Sequence, residues 1–280
     1  MKENVIMASG TVRLLQITDL HCYADDDARL SWAVDLPVYP NRALRAVLAH
    51  LTEMAHDYHA LLWTGDLAQE ETAPTYQRLN ALAQSFPLPI YALPGNHDLP
   101  ELMRTHLQGR VQLPKYITLD NWHLLLLDTS CASQPHGHLD DARLDELQSL
   151  LASIPPQQFV AIFMHHHPVN IDSAWQDSTG LRQKNRFWAL LGDYPQVKAV
   201  FHGHIHQEFT GEHPYPRSRK VLVYGTPATC VQIKPRQKKL VLDHARPAWR
   251  NIILRPDGTI ETSVNYLPSQ VLQQFLPSAH

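Results

Sequence analysis

Cysteine is the scarcest useful residue in this chain: Cys22, Cys131 and Cys230 are the only three among 280 residues. They are far apart, odd in number and form no Cys-x-x-Cys pair, which argues against a disulfide framework. Long apolar runs are also missing, and none approaches the roughly 20 residues of a membrane span. No secretory hydrophobic segment follows the first residues. No basic run exceeds Arg236-Gln237-Lys238-Lys239, and the net charge is -3. That balance argues against a nucleic-acid footprint and favours a small anionic substrate. There is no Gly-x4-Gly-Lys-Ser/Thr loop, so phosphate must be held by other means. The expectation is a reduced, soluble, cytoplasmic protein with neither nucleic-acid nor membrane partners. Its length allows one large or two small domains, and no internal repeat or interdomain linker is evident.

What is present in excess is histidine. The chain has 18, roughly threefold ordinary usage. Several, such as His50, His56, His59 and His106, read as solvated polar residues on helix surfaces. Others fall in five short blocks: Asp19-x-His21, Gly65-Asp66, Gly95-Asn96-His97-Asp98, His165-His166-His167 and Gly203-His204-Ile205-His206. Each block ends a short apolar run rich in β-branched and aromatic residues, at 14–17, 61–63, 90–93, 159–163 and 197–201. Such runs predict buried strands. Ligands of open α/β sheets bind outside the carboxyl ends of the strands, so the spacing predicts that all five blocks meet on one rim.

Between these strands the pattern is helical. Asn41 is expected to cap a helix carrying Leu44, Val47, Leu48 and Leu51. Asp140 is expected to cap another, with Leu139 and Leu144 as a hydrophobic staple and Leu147, Leu150 and Leu151 behind. Residues 75–86 and Lys184–Leu191 give fainter helical patterns. Alternating strands and helices predict a mainly parallel sheet with helices outside. Beyond Gly203, residues 221–224, 239–242, 252–254 and 260–264 read as strands joined by tight turns, which predicts an antiparallel second sheet. Residues 122–128, paired with Tyr116–Leu119, could join that sheet or bridge the two.

Taken singly, Asp-x-His is a modest signal, though side chains i and i+2 at a strand end can grip one ion. Gly65-Asp66 is weaker, being an ordinary turn dipeptide. Gly95-Asn96-His97-Asp98 is stronger, since the glycine lets the turn aim polar side chains back at the strand end. Gly203-His204-Ile205-His206 is the strongest block, a two-pronged imidazole ligand, whereas His202 reads as a packed strand residue. Jointly, five strand ends carrying ligands of one chemical class point to metal. Asp, Asn and His without Cys favour manganese, iron(II) or zinc over a thiolate site, and seven ligands are too many for one four-coordinate ion.

This ordered set resembles the calcineurin-like metallophosphoesterase family. Longer blocks narrow the resemblance to its class III 3',5'-cyclic AMP phosphodiesterase branch: Gln16-Ile17-Thr18-Asp19, Gly65-Asp66-Leu67-Ala68-Gln69, Pro135-His136-Gly137, Gly203-His204-Ile205-His206-Gln207-Glu208, Thr226-Pro227-Ala228-Thr229-Cys230-Val231-Gln232 and Pro247-Ala248-Trp249-Arg250. The resemblance spans nearly the whole chain. It implies a four-layer α-β-β-α sandwich of two mixed sheets, with the metal site at the carboxyl ends of the strands. A single domain over 1–280 is expected, with a core at about 11–232 and β elements at 233–267 packed on it.

The family pattern implies one ion on Asp19, His21 and His206, another on Asn96, His166 and His204, and Asp66 bridging. His166 follows from counting back to Pro168; His165 is the alternative, and His167 a supporting hydrogen-bonding residue. The chain departs from the family at His138, where Glu is usual. Two divalent ions, iron(II) or manganese with zinc an option, would activate a bridging hydroxide to attack phosphorus. His97, oriented by Asp98, would donate a proton to the leaving 3' oxygen. His21, Asp66, Asn96, His97 and His206 are expected to face the substrate. The implied reaction turns 3',5'-cyclic AMP into 5'-AMP and lowers its intracellular level. Two alternatives stand beside it: another superfamily hydrolase, acting on a phosphomonoester, a 2',3'-cyclic nucleotide or a nucleotide pyrophosphate, and a metal-free scaffold. A homodimer is compatible with the sequence.

Overall fold

The computed structural model describes residues 10–276. In chain order its strands are β1 (Val12–Ile17), β2 (Ala60–Thr64), β3 (Ile90–Leu93), β4 (Val111–Gln112), β5 (Tyr116–Leu119), β6 (Trp122–Leu127), β7 (Phe159–Met164), β8 (Val197–His202), β9 (Phe209–Pro214), β10 (Lys220–Gly225), β11 (Ala248–Leu254) and β12 (Ile260–Tyr266). The helices are α1 (Pro40–Met54), α2 (Ala73–Ala83), α3 (Pro100–His106), α4 (Asp141–Ser153), α5 (Ala174–Asp177), α6 (Lys184–Leu191) and α7 (Ser269–Gln273).

The strands form two six-stranded mixed sheets, ordered β12-β11-β1-β2-β3-β4 and β5-β6-β7-β8-β10-β9. Alternate side chains of each strand point to different layers. Leu15 and Ile17 of β1 and Leu61 and Trp63 of β2 meet α1 and α2 through Leu44, Val47, Leu51, Tyr76 and Leu79. Leu14 and Leu62 point the other way, to pack with Trp122, Leu124, Phe163 and Phe201 of the second sheet. Leu125, Val160 and Ile162 meet Leu144, Leu147 and Phe187 of α4 and α6 on the far side. The result is α-β-β-α, with both faces of each sheet covered. That is why the central strands read as continuous apolar runs rather than alternating ones.

Three expectations need correction. The five ligand-bearing strands do not share one sheet: β1, β2 and β3 lie in the first, β7 and β8 in the second, so the rim is double. The C-terminal strands do not make a separate antiparallel sheet. β10 runs parallel to β8, while β11 pairs antiparallel with β1 and carries β12 outside it. Residues 239–242 form no strand, only an isolated bridge between Leu242 and Ile233. Leu240 is exposed there, so no partner surface rewards an extended ladder.

Helix starts follow local chemistry. Asp140 caps α4 by accepting from Arg143 N at 2.8 Å, with Leu139 and Leu144 both buried as the staple requires. Asn41 does not cap α1. Pro40, preset for the first turn, begins the helix one residue earlier. The Asn41 side chain instead accepts from Tyr23 N at 2.8 Å and donates to Tyr23 O at 2.9 Å. No helix among the described residues is long and apolar enough to cross a membrane.

Candidate metal centre

Three of the five blocks, at Asp19, Asp66 and His204, turn sharply just past their strands. Asp19, His21, Asp66, His204 and His206 all have φ between +49° and +68°. Non-glycine residues rarely occupy this left-handed region, and each costs about 1 kcal/mol or more, so five at one place mark a site where the fold overrides local preference. The turns also need close approach. A Cβ on Gly95 would lie 2.1 Å from Asp66 Oδ1, and one on Gly203 would lie 2.0 Å from Thr18 Oγ1.

The turns bring carboxylates and imidazoles from both sheets together. Asp19 Oδ1 is 3.2 Å from His206 Nε2, and Asp19 Oδ2 accepts from His204 N at 3.0 Å. Asp66 Oδ2 lies 3.2 Å from His165 Nε2 and 3.8 Å from His21 Nε2, while Oδ1 accepts from His97 N at 2.8 Å. His21 Nε2 and His206 Nε2 are 3.3 Å apart. His166 and His204 stand together, ring centres 4.8 Å apart. Both His165 and His166 reach the site, joining His204 in one cluster of ring nitrogens.

The outer nitrogens of these rings are anchored. His21 Nδ1 pairs with Gln69 Oε1 at 2.9 Å, His206 Nδ1 with Val231 O at 2.7 Å and His165 Nδ1 with Thr64 O at 2.9 Å. His166 Nδ1 meets Thr129 Oγ1 at 2.8 Å, and His204 Nε2 meets Thr179 Oγ1 at 2.9 Å. An imidazole that donates from its rear nitrogen presents a lone pair in front, the arrangement of metal-binding histidine. At the front, Asp19 Oδ1, Asn96 Oδ1, His165 Nε2 and His166 Nε2 are buried without a hydrogen-bond partner. Buried polar atoms are rarely left this way, and cations would satisfy all four. The residues therefore fit divalent ions.

Electrostatics agree. Burial pushes His21 down to about 3, leaving it neutral. Burial and neighbouring imidazoles push His166 and His204 well below the usual range. Burial would lower His165 too, but Asp66 beside it lifts it to about 9; Asp19 likewise lifts His206. Burial would raise both Asp66 and Asp19, yet His165 holds Asp66 well below the carboxylate range and His206 brings Asp19 down to about 2. Two carboxylates thus stay ionised in a dry site and gather positive charge, as a dication site must.

His97, half-buried, sits edge-on to His21 at 5.0 Å and clusters with His21 and Asp66. Asp98 does not orient it. The Asp98 carboxylate accepts from Leu67 N, Ala68 N, Gly95 N and Tyr76 Oη, which fasten the Gly65 and Gly95 loops together. Asn96 borders a cleft of about 390 Å³ with Glu71, Leu99, Asp128, Ser130 and Arg143. His167 lies behind the site, 3.6 Å from Asp177 Oδ1. His202 is buried in β8, its Nδ1 against Gly203 O at 2.9 Å. His138 Nδ1 accepts from Gln183 Nε2 at 2.8 Å and so pins the loop before α4. Sequence reasoning missed the anchors Thr129 and Thr179, which carry no spacing signal, and named Gln69 only as part of the block that begins at Gly65, without a role. It also missed Cys230, whose thiol lies with His21 and His206.

Comparison with known proteins follows the same lines. The calcineurin-like phosphoesterase family profile matches residues 12–208. The chain is 34% identical to a 3',5'-cyclic adenosine monophosphate phosphodiesterase CpdA of Vibrio vulnificus, over 97% of this chain and 94% of that protein. It is 33% identical to a 3',5'-cyclic-nucleotide phosphodiesterase of Nostoc, over 92% and 93%. Among solved structures, a dimetal phosphatase from Danio rerio shares the fold with a TM-score of 0.62 at 13% identity, over 93% of this chain and 100% of that one. The chain belongs to the calcineurin-like phosphoesterase family.

Proposed function

We propose that this protein hydrolyses 3',5'-cyclic AMP to 5'-AMP in the cytoplasm, using two divalent ions. The observation that carries the reading is the set of buried, unpartnered Asp, Asn and His atoms at the seam of the two sheets. The names of relatives that match both chains over more than nine-tenths of their length supply the substrate. Asp19, His21 and His206 would hold one ion and Asn96, His166 and His204 the other, with Asp66 between. Iron(II) and manganese suit this oxygen and imidazole set, and zinc is compatible. When bound, such a pair lowers the pKa of a shared water and draws charge from phosphoryl oxygens.

The chain's own residues do the rest. His97, edge-on to His21 and with no side-chain hydrogen bond among the described residues, would give a proton to the 3' oxygen as its bond to phosphorus breaks. Water supplies the new oxygen on phosphorus, and the products are the 5'-phosphate and a free 3'-hydroxyl. Asp98 contributes by holding the loop rigid. The cleft bordered by Asn96 and Arg143 gives the nucleoside room.

A substrate panel tests the proposal. Metal-stripped protein refilled with manganese or iron should hydrolyse 3',5'-cyclic AMP in preference to 2',3'-cyclic AMP and a simple phosphomonoester; hydrolysis of the phosphomonoester alone would defeat the reading. Asn96→Ala should lower metal content from two equivalents and cut turnover. His97→Ala should keep both ions while kcat falls about 10²- to 10⁴-fold; an unchanged kcat would remove the acid role.

A further inference from the structure

Cys230 is buried, with only 1% of its surface exposed, on the loop between β10 and β11. Its Sγ, one ring nitrogen of His21 and one of His206 all lie within 4.8 Å of one another. Nothing in the hydrolytic ligand set needs this sulfur. The loop that carries it is fixed from both sides: Thr229 N donates to Thr18 O at 2.9 Å, and Ile233 N to His206 O at 3.0 Å. Val231 O pairs with His206 Nδ1 at 2.7 Å, and Gln232 bonds both N and O of Ala228. The thiol is therefore held beside the Asp19-x-His21 and His204-x-His206 blocks rather than swinging free. A second observation points to a cation here: Asp19 Oδ1 is fully buried, has no hydrogen-bond partner and lies 3.2 Å from His206 Nε2.

Two imidazoles, a thiol and an adjacent carboxylate are the donors of a tetrahedral zinc site, and sulfur selects soft ions over manganese. We propose that His21, His206 and Cys230, with Asp19 beside them, form an alternative ligand set for a thiophilic divalent ion, with zinc as its natural occupant. On binding, the thiol gives its proton to solvent and the thiolate takes one coordination position. The set shares His21, His206 and Asp19 with the hydrolytic pair. A zinc ion drawn onto the sulfur therefore competes with the catalytic ions, and the same pocket reports which metal is in excess. The inference rests on the metal-centre reading of the site, not on the identity of the substrate.

Spectroscopy of the full chain tests it. Metal-stripped protein is titrated with cobalt(II) and, separately, with cadmium, and the near-ultraviolet thiolate-to-metal absorption is followed. The expected result is a band saturating at one equivalent, present in wild type and in the double variant Cys22→Ala/Cys131→Ala, where Cys230 is the sole thiol. Cys230→Ser should abolish the band and weaken zinc about tenfold or more in competition with a chelator. No band in wild type, no band in the sole-thiol variant, or a band surviving in Cys230→Ser would each overturn the proposal. If Cys230→Ser does not fold, the sole-thiol variant decides alone. Failure of the substrate reading looks different: a thiolate band without turnover of 3',5'-cyclic AMP removes the proposed substrate and leaves the ligand set standing. Turnover without a band removes only the ligand set.

Discussion

Asp98 accepts four hydrogen bonds, from the N–H groups of Leu67, Ala68 and Gly95 and from the Tyr76 hydroxyl. Burial and the neighbouring Asp66 charge push its carboxyl up to about 6, so the site holds this anion only because donors surround it. Asp98→Ala would leave three backbone donors without an acceptor, at a cost of about 3 kcal/mol or more. Asp98→Asn keeps one acceptor oxygen and should recover part of that. Denaturant unfolding of the two variants checks the order, and equal losses would refute the loop-clamp role. The sequence placed Asp98 at the site because Gly-Asn-His-Asp is a compact block, but assigned it the wrong partner. Adjacent residues in a turn point different ways, and only the returning Gly65 loop reveals which donors Asp98 meets. Thr129 and Thr179 were illegible for a related reason: a lone polar residue has no periodicity, and its role comes entirely from a chain segment far away in sequence.

At the scale of elements, strands were legible where burial on both faces imposed an apolar run, and helices where burial imposed a period. The β1, β2, β3, β7 and β8 runs and the capped α4 all fall where the pattern predicts. Residues 239–242 have strand-like composition, but only Leu242 packs inward and pairs, with Ile233, while Leu240 is exposed, which composition cannot report. The loop between β1 and α1 was equally silent, yet it is pinned. Asp26 Oδ1 accepts from Arg78 Nε of α2 at 2.7 Å and from Asn41 Nδ2 of α1 at 3.1 Å. The Arg78 hydrogen bond holds the Asp26 carboxyl below its usual range, with Asn41 and Arg45 adding to it against partial burial. A depressed folded-state value means that the unfolded chain binds the proton more tightly. The Asp26 contribution is therefore complete above pH about 4 and is lost as pH falls through the lower folded value. Asp26→Asn should cost about 1 kcal/mol at pH 7, and the difference from wild type should shrink at acid pH. A constant difference across that range would show that the loop is held by packing alone.

Over the whole molecule, the metal centre is the place where two sheets are laced together at one edge. His204 N donates to Asp19, and His165 Nδ1 meets Thr64 O; each contact joins a second-sheet loop to a first-sheet one. Behind them runs a buried polar chain. Arg250 of β11 donates through Nε to Thr226 Oγ1, which donates to Gln16 Oε1 of β1, whose Nε2 donates to Thr64 Oγ1 at the end of β2. Arg250 also reaches Gly225 O at 2.8 Å and Thr262 Oγ1 at 3.1 Å, so one guanidinium ties β10, β11 and β12. Candidate ligands could be picked out from the sequence because chemistry limits which residues bind metal. The lacing could not, because sheet membership depends on which strands are hydrogen-bonded neighbours, and both sheets are built from similar apolar runs. Arg250 is 1% exposed, and burial pulls it down to about 10, still charged at neutral pH. A buried cation held by neutral oxygens and the face of the Tyr224 ring, with the Glu208 charge as further support, depends on the reach of its planar fork. Arg250→Lys keeps the desolvated charge but cannot span three acceptors, whereas Arg250→Met removes the charge along with the bonds. Lysine should therefore destabilise the protein more than methionine, by about 1 kcal/mol or more, and should loosen metal retention as Thr64 loses its support. Urea unfolding and metal content of the two variants decide it; a lysine variant at least as stable as the methionine one would show that the charge, not the fork, matters at the seam.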